Sequence, residues 1–293
     1  MRILLLGKRG QVGWELQRAL APLGELKMLD RTDGGDLTRP IEVAESIRAF
    51  MPDVVVNAAA YTSVDRAETE QELARTVNAA AVAAIARSCT EVGAWFVHYS
   101  TDYVFDGSGQ RPWLETDVPA PLNVYGRTKL EGESAIVESG CRYLLFRTSW
   151  VYAARGGNFP KTMLRLAAER DEVRVINDQF GAPTSAELIA DVTAHCIRQA
   201  ISDESLAGIY HLAASGCTTW HDYANWVLAA AASQRHQGGH RPVLIPVPSS
   251  EFSTPARRPL NSRLDTHKLR SRFGLCLPHW QDGVGRMLAE VLQ

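Results

Sequence analysis

The sequence predicts an α/β fold, a doubly wound parallel sheet followed by a smaller C-terminal lobe. Three observations predict it. Short apolar runs alternate with helix-period segments five times over roughly the first 150 residues. The first run leads straight into a glycine-rich turn, Gly7-Lys8-Arg9-Gly10-Gln11-Val12-Gly13. Several of the runs are apolar throughout, as strands covered on both faces are.

Residues 2–6 (RILLL) read as a buried strand. The glycine turn opens onto a helix expected over 14–21, where Leu16, Ala19 and Leu20 share a face. A second strand over 26–29 ends at Asp30. The helix over 41–50 is stopped by Pro52. Then come a third strand at 53–57, an Ala-rich helix at 70–92, a fourth strand at 95–100, a helix at 124–138 and a fifth strand at 142–147. Right-handed crossovers leave few other topologies.

Beyond Trp150 the alternation weakens. Helices are expected at 159–169, 186–201, 221–232 and 280–292, with a polar turn-rich stretch at 176–184, a loop at 234–241 and five prolines in 242–259. The expected organisation is a sheet domain over 1–149, with a helix at 184–202 packed back onto it, and a lobe made of 150–183 and 203–293.

The chain has 293 residues, 45% hydrophobic and 22% charged, with a net charge of −2, which suits a soluble globular protein. Its 31 basic and 33 acidic residues are interspersed, which argues against a nucleic-acid partner. No apolar run reaches the ~18 residues that span a bilayer, and no signal peptide is visible. A cytoplasmic location is expected. The five cysteines are odd in number and dispersed, without C-x-x-C. They are expected to be buried, reduced and free of metal.

In the glycine turn, the first glycine permits a tight bend. The second lets the backbone approach a pyrophosphate, and the third lets the helix pack on the strand. The helix N-terminus, with Gln11 and Val12 in its first turn, then offers free N–H groups to the anion. No G-K-[ST] follows, which excludes a nucleoside-triphosphate loop. The ligand expected on Gly7, Gly10 and Gly13 is a nicotinamide dinucleotide. Asp30 suits ribose hydroxyls and so NADH. Arg31 suits a 2′-phosphate and so NADPH. Asp36 and Leu37 are expected beside the adenine.

Tyr125 and Lys129 stand four apart on one helix face. A phenol titrates near ~10, and an ammonium beside it favours the phenolate. Such a pair suits proton exchange with a carbonyl or alcohol oxygen. Thr101 and Asp102 end the fourth strand, the edge where open α/β sheets bind ligands. The Thr101 hydroxyl is expected to bond the substrate oxygen beside Tyr125.

Together these features resemble the extended short-chain dehydrogenase/reductase family, with its Rossmann-type sheet. The glycine loop, Asn57-Ala58-Ala59-Ala60, Ser100-Thr101-Asp102 and Tyr125-x-x-x-Lys129 stand in that family's order and spacing. Further motifs resemble its nucleotide-sugar reductases over essentially the whole chain. They are Gly7-Lys8 with Gly10-Gln11-Val12-Gly13, residues 100–105 (STDYVF), 147–152 (RTSWVY), 177–184 (NDQFGAPT) and 255–259 (PARRP).

The resemblance implies reduction of a keto group on a dTDP-sugar by NADPH or NADH. Tyr125 would protonate the oxygen, while Lys129 would tune Tyr125 and hold ribose. Thr101, Asp102, Val64 and Trp150 would place the sugar. Ala58, Ala59, Ala60, Tyr61, Thr62 and Tyr99 would line the cofactor. Arg257 and Arg258 suit a diphosphate, because guanidinium grips phosphate oxygens in pairs. Some members bridge a homodimer with Mg²⁺ through acids corresponding to Glu15, Glu187 and Glu290. Asn78 is expected to be a satisfied structural amide.

Two alternatives stand beside this reading. One is a nucleotide-sugar 4,6-dehydratase or 4-epimerase of the same family. A dehydratase carries Thr-Asp-Glu, and Tyr103 here takes the place of the glutamate that elimination needs. The other is a non-catalytic binding subunit on the same fold, which has no need of a matched proton donor.

Overall fold

Ile3, Leu4, Leu5 and Leu6 are fully buried, and they alternate between two separate apolar clusters. A strand reaches that state only with helices on both faces of its sheet. The computed structural model describes residues 1–234 and 242–292, so the expected loop at 234–241 lies outside the described residues except for Gln234.

The first half alternates as expected: β1 (Arg2–Leu6), α1 (Gln11–Leu20), β2 (Glu25–Leu29), α2 (Pro40–Phe50), β3 (Val54–Asn57), the short α3 (Val64–Ala67) and α4 (Gln71–Arg75), α5 (Ala81–Val92), β4 (Trp95–Thr101), α6 (Val124–Glu138) and β5 (Arg142–Thr148). The long helix expected at 70–92 is interrupted by a π-helical stretch at Thr76–Ala80. The second half holds β6 (Val151–Tyr152), α7 (Phe159–Glu169), β7 (Glu172–Ile176), β8 (Phe180–Gly181), β9 (Thr184–Ser185), α8 (Ala186–Ala200), β10 (Gly208–His211), β11 (Thr218–Thr219), α9 (Trp220–Gln234), β12 (Val243–Val247), α10 (His267–Phe273) and α11 (Trp280–Val291).

The central sheet has six strands in the order β10-β5-β4-β3-β1-β2, all parallel. This is the doubly wound, Rossmann-type α/β fold. The strand order reverses between β1 and β3, and the crevice at their carboxyl ends is where such sheets take ligands.

One boundary is corrected. The stretch 203–293 was expected to lie wholly in the smaller lobe, yet β10 completes the central sheet beside β5. Leu269, Phe273 and Leu277 also join the core beneath it, together with Ile189 and Cys196 of α8. A four-residue strand has too short a pattern to stand out from surrounding loop. The remaining elements pack their own cores, one around Tyr152, Tyr223, Trp280 and Met287 and another around Met163, Val173, Val175 and Leu228. Cys89, Cys141 and Cys196 are buried, but Cys217 and Cys276 are exposed, against the expectation of five buried thiols. Among the described residues no helix is long and apolar enough to cross a membrane.

Candidate active site

The first and third glycines of the turn are held by contacts that admit no side chain. Gly7 has φ +84°, and a Cβ on Gly13 would stand 2.0 Å from the Gly7 carbonyl oxygen. The close approach lets α1 begin at Gln11, earlier than expected. Gly10 caps it with no side-chain hydrogen bond, so the first-turn N–H groups remain free for an anion.

A cleft of about 700 Å³ opens over this turn and the carboxyl ends of β1, β3 and β4. Its walls include Gly7, Gly10, Gln11 and Val12 from the turn, Asp30 and Arg31 after β2, and Ala58, Ala59, Ala60, Thr62 and Val64 after β3. Tyr99, Thr101 and Asp102 from β4, Tyr125 and Lys129 from α6, and Trp150 close it. Residues far apart in sequence thus share one cavity. Four residues expected at the cofactor do not line it; the first, Gly13, packs against the Gly7 carbonyl. Asp36 caps its own loop by accepting from the Thr38 N–H, 3.0 Å. Leu37 is buried in the core with Leu4 and Leu29. The Tyr61 hydroxyl turns away to donate to Glu70 Oε2, 2.5 Å. Asn78 is a structural amide, bonded to both the N–H and the carbonyl of Tyr61.

Asp30 accepts from the Thr32 N–H and hydroxyl at 2.9 and 2.7 Å, and Arg9 Nε lies 2.6 Å from its other oxygen. The Thr32 bonds lead in holding its carboxyl below the usual range. Arg9 also lines the cleft. The sequence reading passed over it, because the variable positions of a glycine loop carry no pattern.

The start of α6 is pinned from three sides. Asn123 Oδ1 accepts from the Gly126 N–H at 2.8 Å, Asn123 Nδ2 donates to the Arg257 carbonyl at 2.8 Å, and Glu68 Oε1 accepts from the Val124 N–H at 2.8 Å. These bonds hold Tyr125 against β4. Tyr125 and Thr101 line the same cleft. The Tyr103 ring meets the Tyr125 ring edge-on, with centroids 5.6 Å apart.

The expected tuning of Tyr125 by Lys129 is not how the groups pair. Lys129 Nζ donates to the Tyr99 carbonyl at 2.6 Å and lies 3.1 Å from His98 Nε2. Burial is the largest influence on Tyr125, Lys129 and Asp102. It pushes the Tyr125 phenol above its ordinary value. It brings Lys129 down to about 8 and Asp102 up to about 6. Tyr125 is therefore a neutral phenol across the working range, which suits donation of a proton.

A second cavity of about 1150 Å³ adjoins the cleft, and Tyr103 lines both. It holds Arg257, Arg258, Gln179, Phe159 and Trp220. Arg258 forms a two-pronged pair with Asp65, at 3.1 and 2.7 Å. Trp150 lies in the left-handed region, φ +50°, a strained backbone for a non-glycine residue at about 1–2 kcal/mol. Its indole stacks on Trp220 at 3.6 Å between centroids and 11° between planes. Trp220 was missed because it sat one residue before an expected helix, where an apolar residue reads as core.

The magnesium site implied by the resemblance is not built by one chain. Glu187 and Glu290 both raise the pKa of Glu15, after burial. Yet Glu15 pairs with Arg18 and Glu187 with Arg286. Among the described residues no three acidic, histidine or cysteine groups converge to hold a metal.

A glycine cradle at a parallel-sheet switch point, with a buried phenol and lysine facing it, defines a nicotinamide-dependent oxidoreductase of the short-chain dehydrogenase/reductase type. The chain matches the RmlD substrate binding domain over residues 1–293, and it belongs to that family. It is 60% identical to the dTDP-4-dehydrorhamnose reductase of Escherichia coli K12, across 99% of this chain and 98% of that one. The crystal structure of dTDP-4-dehydrorhamnose reductase from Bacillus anthracis in complex with NADP is 34% identical and superposes with a TM-score of 0.88 over 99% of each chain. The Thermus thermophilus UDP-glucose 4-epimerase complex with NAD, 22% identical and covering 100% of this chain and 99% of that one, shares the fold at a TM-score of 0.79.

Proposed function

We infer that this chain reduces the C4 keto group of dTDP-4-dehydro-β-L-rhamnose to dTDP-L-rhamnose with NADPH or NADH. The carrying observation is the buried Tyr125 phenol, which shares with Thr101 the wall of the cleft that opens over the dinucleotide cradle. Full-length relatives named for this reaction support the substrate.

The dinucleotide supplies the hydride when bound, and its place is the cradle of Gly7, Gly10 and Gly13. Tyr125 gives the proton to the C4 oxygen as the C–H bond forms. Thr101 orients the phenol and shares the oxygen. Lys129 holds ribose beside Tyr99, and Ala58, Ala59, Ala60 and Thr62 wall the cleft. Val64, Asp102 and Trp150 place the sugar. Arg257 and Arg258 grip the diphosphate in the larger cavity. Asp30 with Arg9 and Arg31 at the ribose end suits either cofactor. In this reading the sheet half binds cofactor and the remaining elements bind nucleotide-sugar. The enzyme works as a cytoplasmic homodimer, and its product serves cell-surface polysaccharide of the lipopolysaccharide type.

The test is a spectroscopic assay with purified protein. Oxidation of NADPH or NADH should require the dTDP-4-keto sugar, and the protein should carry no bound cofactor after purification. Tightly retained cofactor with no net oxidation would favour an epimerase instead.

Asp102 adds a pH dependence. Its carboxyl accepts a sugar hydroxyl most strongly when ionised, and burial places its change of charge at about 6. The kcat/KM should therefore fall as pH drops through about 6, because this parameter reports the free enzyme. Asp102→Asn should lower kcat/KM at neutral pH and abolish that acid limb. A limb that survives the substitution belongs to another group.

A further inference from the structure

A line of buried polar groups runs behind the cofactor cleft from β3 through β4 to α6. It begins at an unambiguous donor. The Ala59 N–H points at Asn57 Oδ1 at 3.0 Å. A backbone N–H can only donate, so the oxygen of the Asn57 amide must face it. The amide nitrogen, Nδ2, then faces His98 Nδ1 at 3.2 Å. An amide NH₂ has only protons to offer, so His98 Nδ1 is the bare nitrogen of the ring.

His98 is 1% exposed. Burial, and Lys129 beside it, hold its pKa well below the ordinary value, so the ring is neutral. Its single proton is therefore on Nε2, which lies 3.1 Å from Lys129 Nζ. An ammonium there would meet that N–H proton to proton. Lys129 Nζ also donates to the Tyr99 carbonyl at 2.6 Å. Both contacts are satisfied together when Nζ turns a lone pair to His98, which only the neutral amine has.

The other groups around Lys129 do not reverse this. Glu133, one turn along α6, favours the ammonium, but Arg147 of β5 already pairs with it at 2.6 Å. Tyr125 is a neutral phenol. The Tyr99 hydroxyl is engaged with Thr193 of α8 at 2.8 Å. Burial dominates and brings Lys129 down to about 8.

We propose that His98, fixed by Asn57 as its Nε2–H tautomer, is a positioning residue that favours the neutral amine of Lys129 and so sets the alkaline limit of the reaction. The kinetic part rests on the reductase reading, whereas the tautomer does not. As pH rises through the lysine's titration the cation that holds ribose is lost, and kcat/KM falls. His98→Gln offers the ammonium a carbonyl acceptor in place of an opposing N–H.

The test has two arms. Long-range ¹H–¹⁵N NMR of histidine-labelled, cofactor-free enzyme between pH 7 and 9 should show, among the eight rings, one assigned to His98 by its loss in His98→Gln, and that ring should be neutral with its proton wholly on Nε2. In kcat/KM profiles, His98→Gln should move the alkaline limb up by about one pH unit or more, since a bond to the charged form favours it. The acid limb should stay in place. A thermal melt shows whether the variant is folded. A ring protonated on Nδ1, or an unmoved alkaline limb in a folded variant, overturns the proposal. Absence of turnover with the keto sugar in the wild type would sink the reductase reading and leave the tautomer result standing.

Discussion

Tyr125→Phe is expected to lower kcat by about 10³-fold, within the span of general acid–base catalysis and equivalent to about 4 kcal/mol of barrier, while NADPH still binds. The phenol is buried and its pKa stands above the ordinary value, so nearly every molecule carries the proton at neutral pH. Phenylalanine keeps the ring and its edge-on contact with Tyr103. It removes only the hydroxyl. Steady-state rates should therefore collapse while a fluorescence titration with NADPH changes little. Turnover within tenfold of the wild type would show that the proton comes from elsewhere. A non-catalytic binding subunit would have no turnover to lose.

Gly13→Ala is expected to abolish measurable dinucleotide binding and to destabilise the fold. The new Cβ would stand 2.0 Å from the Gly7 carbonyl oxygen and 2.8 Å from its carbon. Backbone atoms cannot swing aside as a side chain can, so α1 must lift away from the turn. Overpacking of this kind costs about 1–3 kcal/mol. It also withdraws the free N–H groups of the first turn from the pyrophosphate. Gly10→Ala is the control, because a Cβ there stands 3.5 Å from the Gly7 oxygen, an ordinary contact. Calorimetry should find Gly10→Ala near the wild-type melting temperature and Gly13→Ala well below it. In fluorescence titrations Gly13→Ala should show no measurable NADPH binding, and Gly10→Ala should bind weakly, through obstruction alone. Equal melting temperatures for the two would mean that the turn is looser than its contacts imply.

Much of this was legible in the chain itself. In RILLL the four residues after Arg2 are all apolar, which reads as a strand covered on both faces, and their side chains alternate between two buried clusters. Glycines spaced three apart between a strand and a helix mark an anion cradle, because the backbone tolerates no Cβ at the first and third. Tyr125 and Lys129 four apart on a helix must share a face. In each case the physics is local, since period and turn geometry involve neighbours within a few residues.

What only the tertiary structure decided depends on partners the chain brings from far away. Arg258 meets Asp65 across 193 positions. Trp150 stacks on Trp220 and not on a bare pocket wall. Tyr61 turns to Glu70 and leaves the cleft. β10 enters the sheet through register with β5, although its four residues are too few to show a period. Lys129 has the spacing to tune Tyr125, yet its nitrogen is committed to Tyr99 and His98 of β4. Spacing along a helix fixes which face a side chain leaves from. Where its polar end is satisfied depends on the donors and acceptors that the packed strand beside it presents, and these are assembled only on folding.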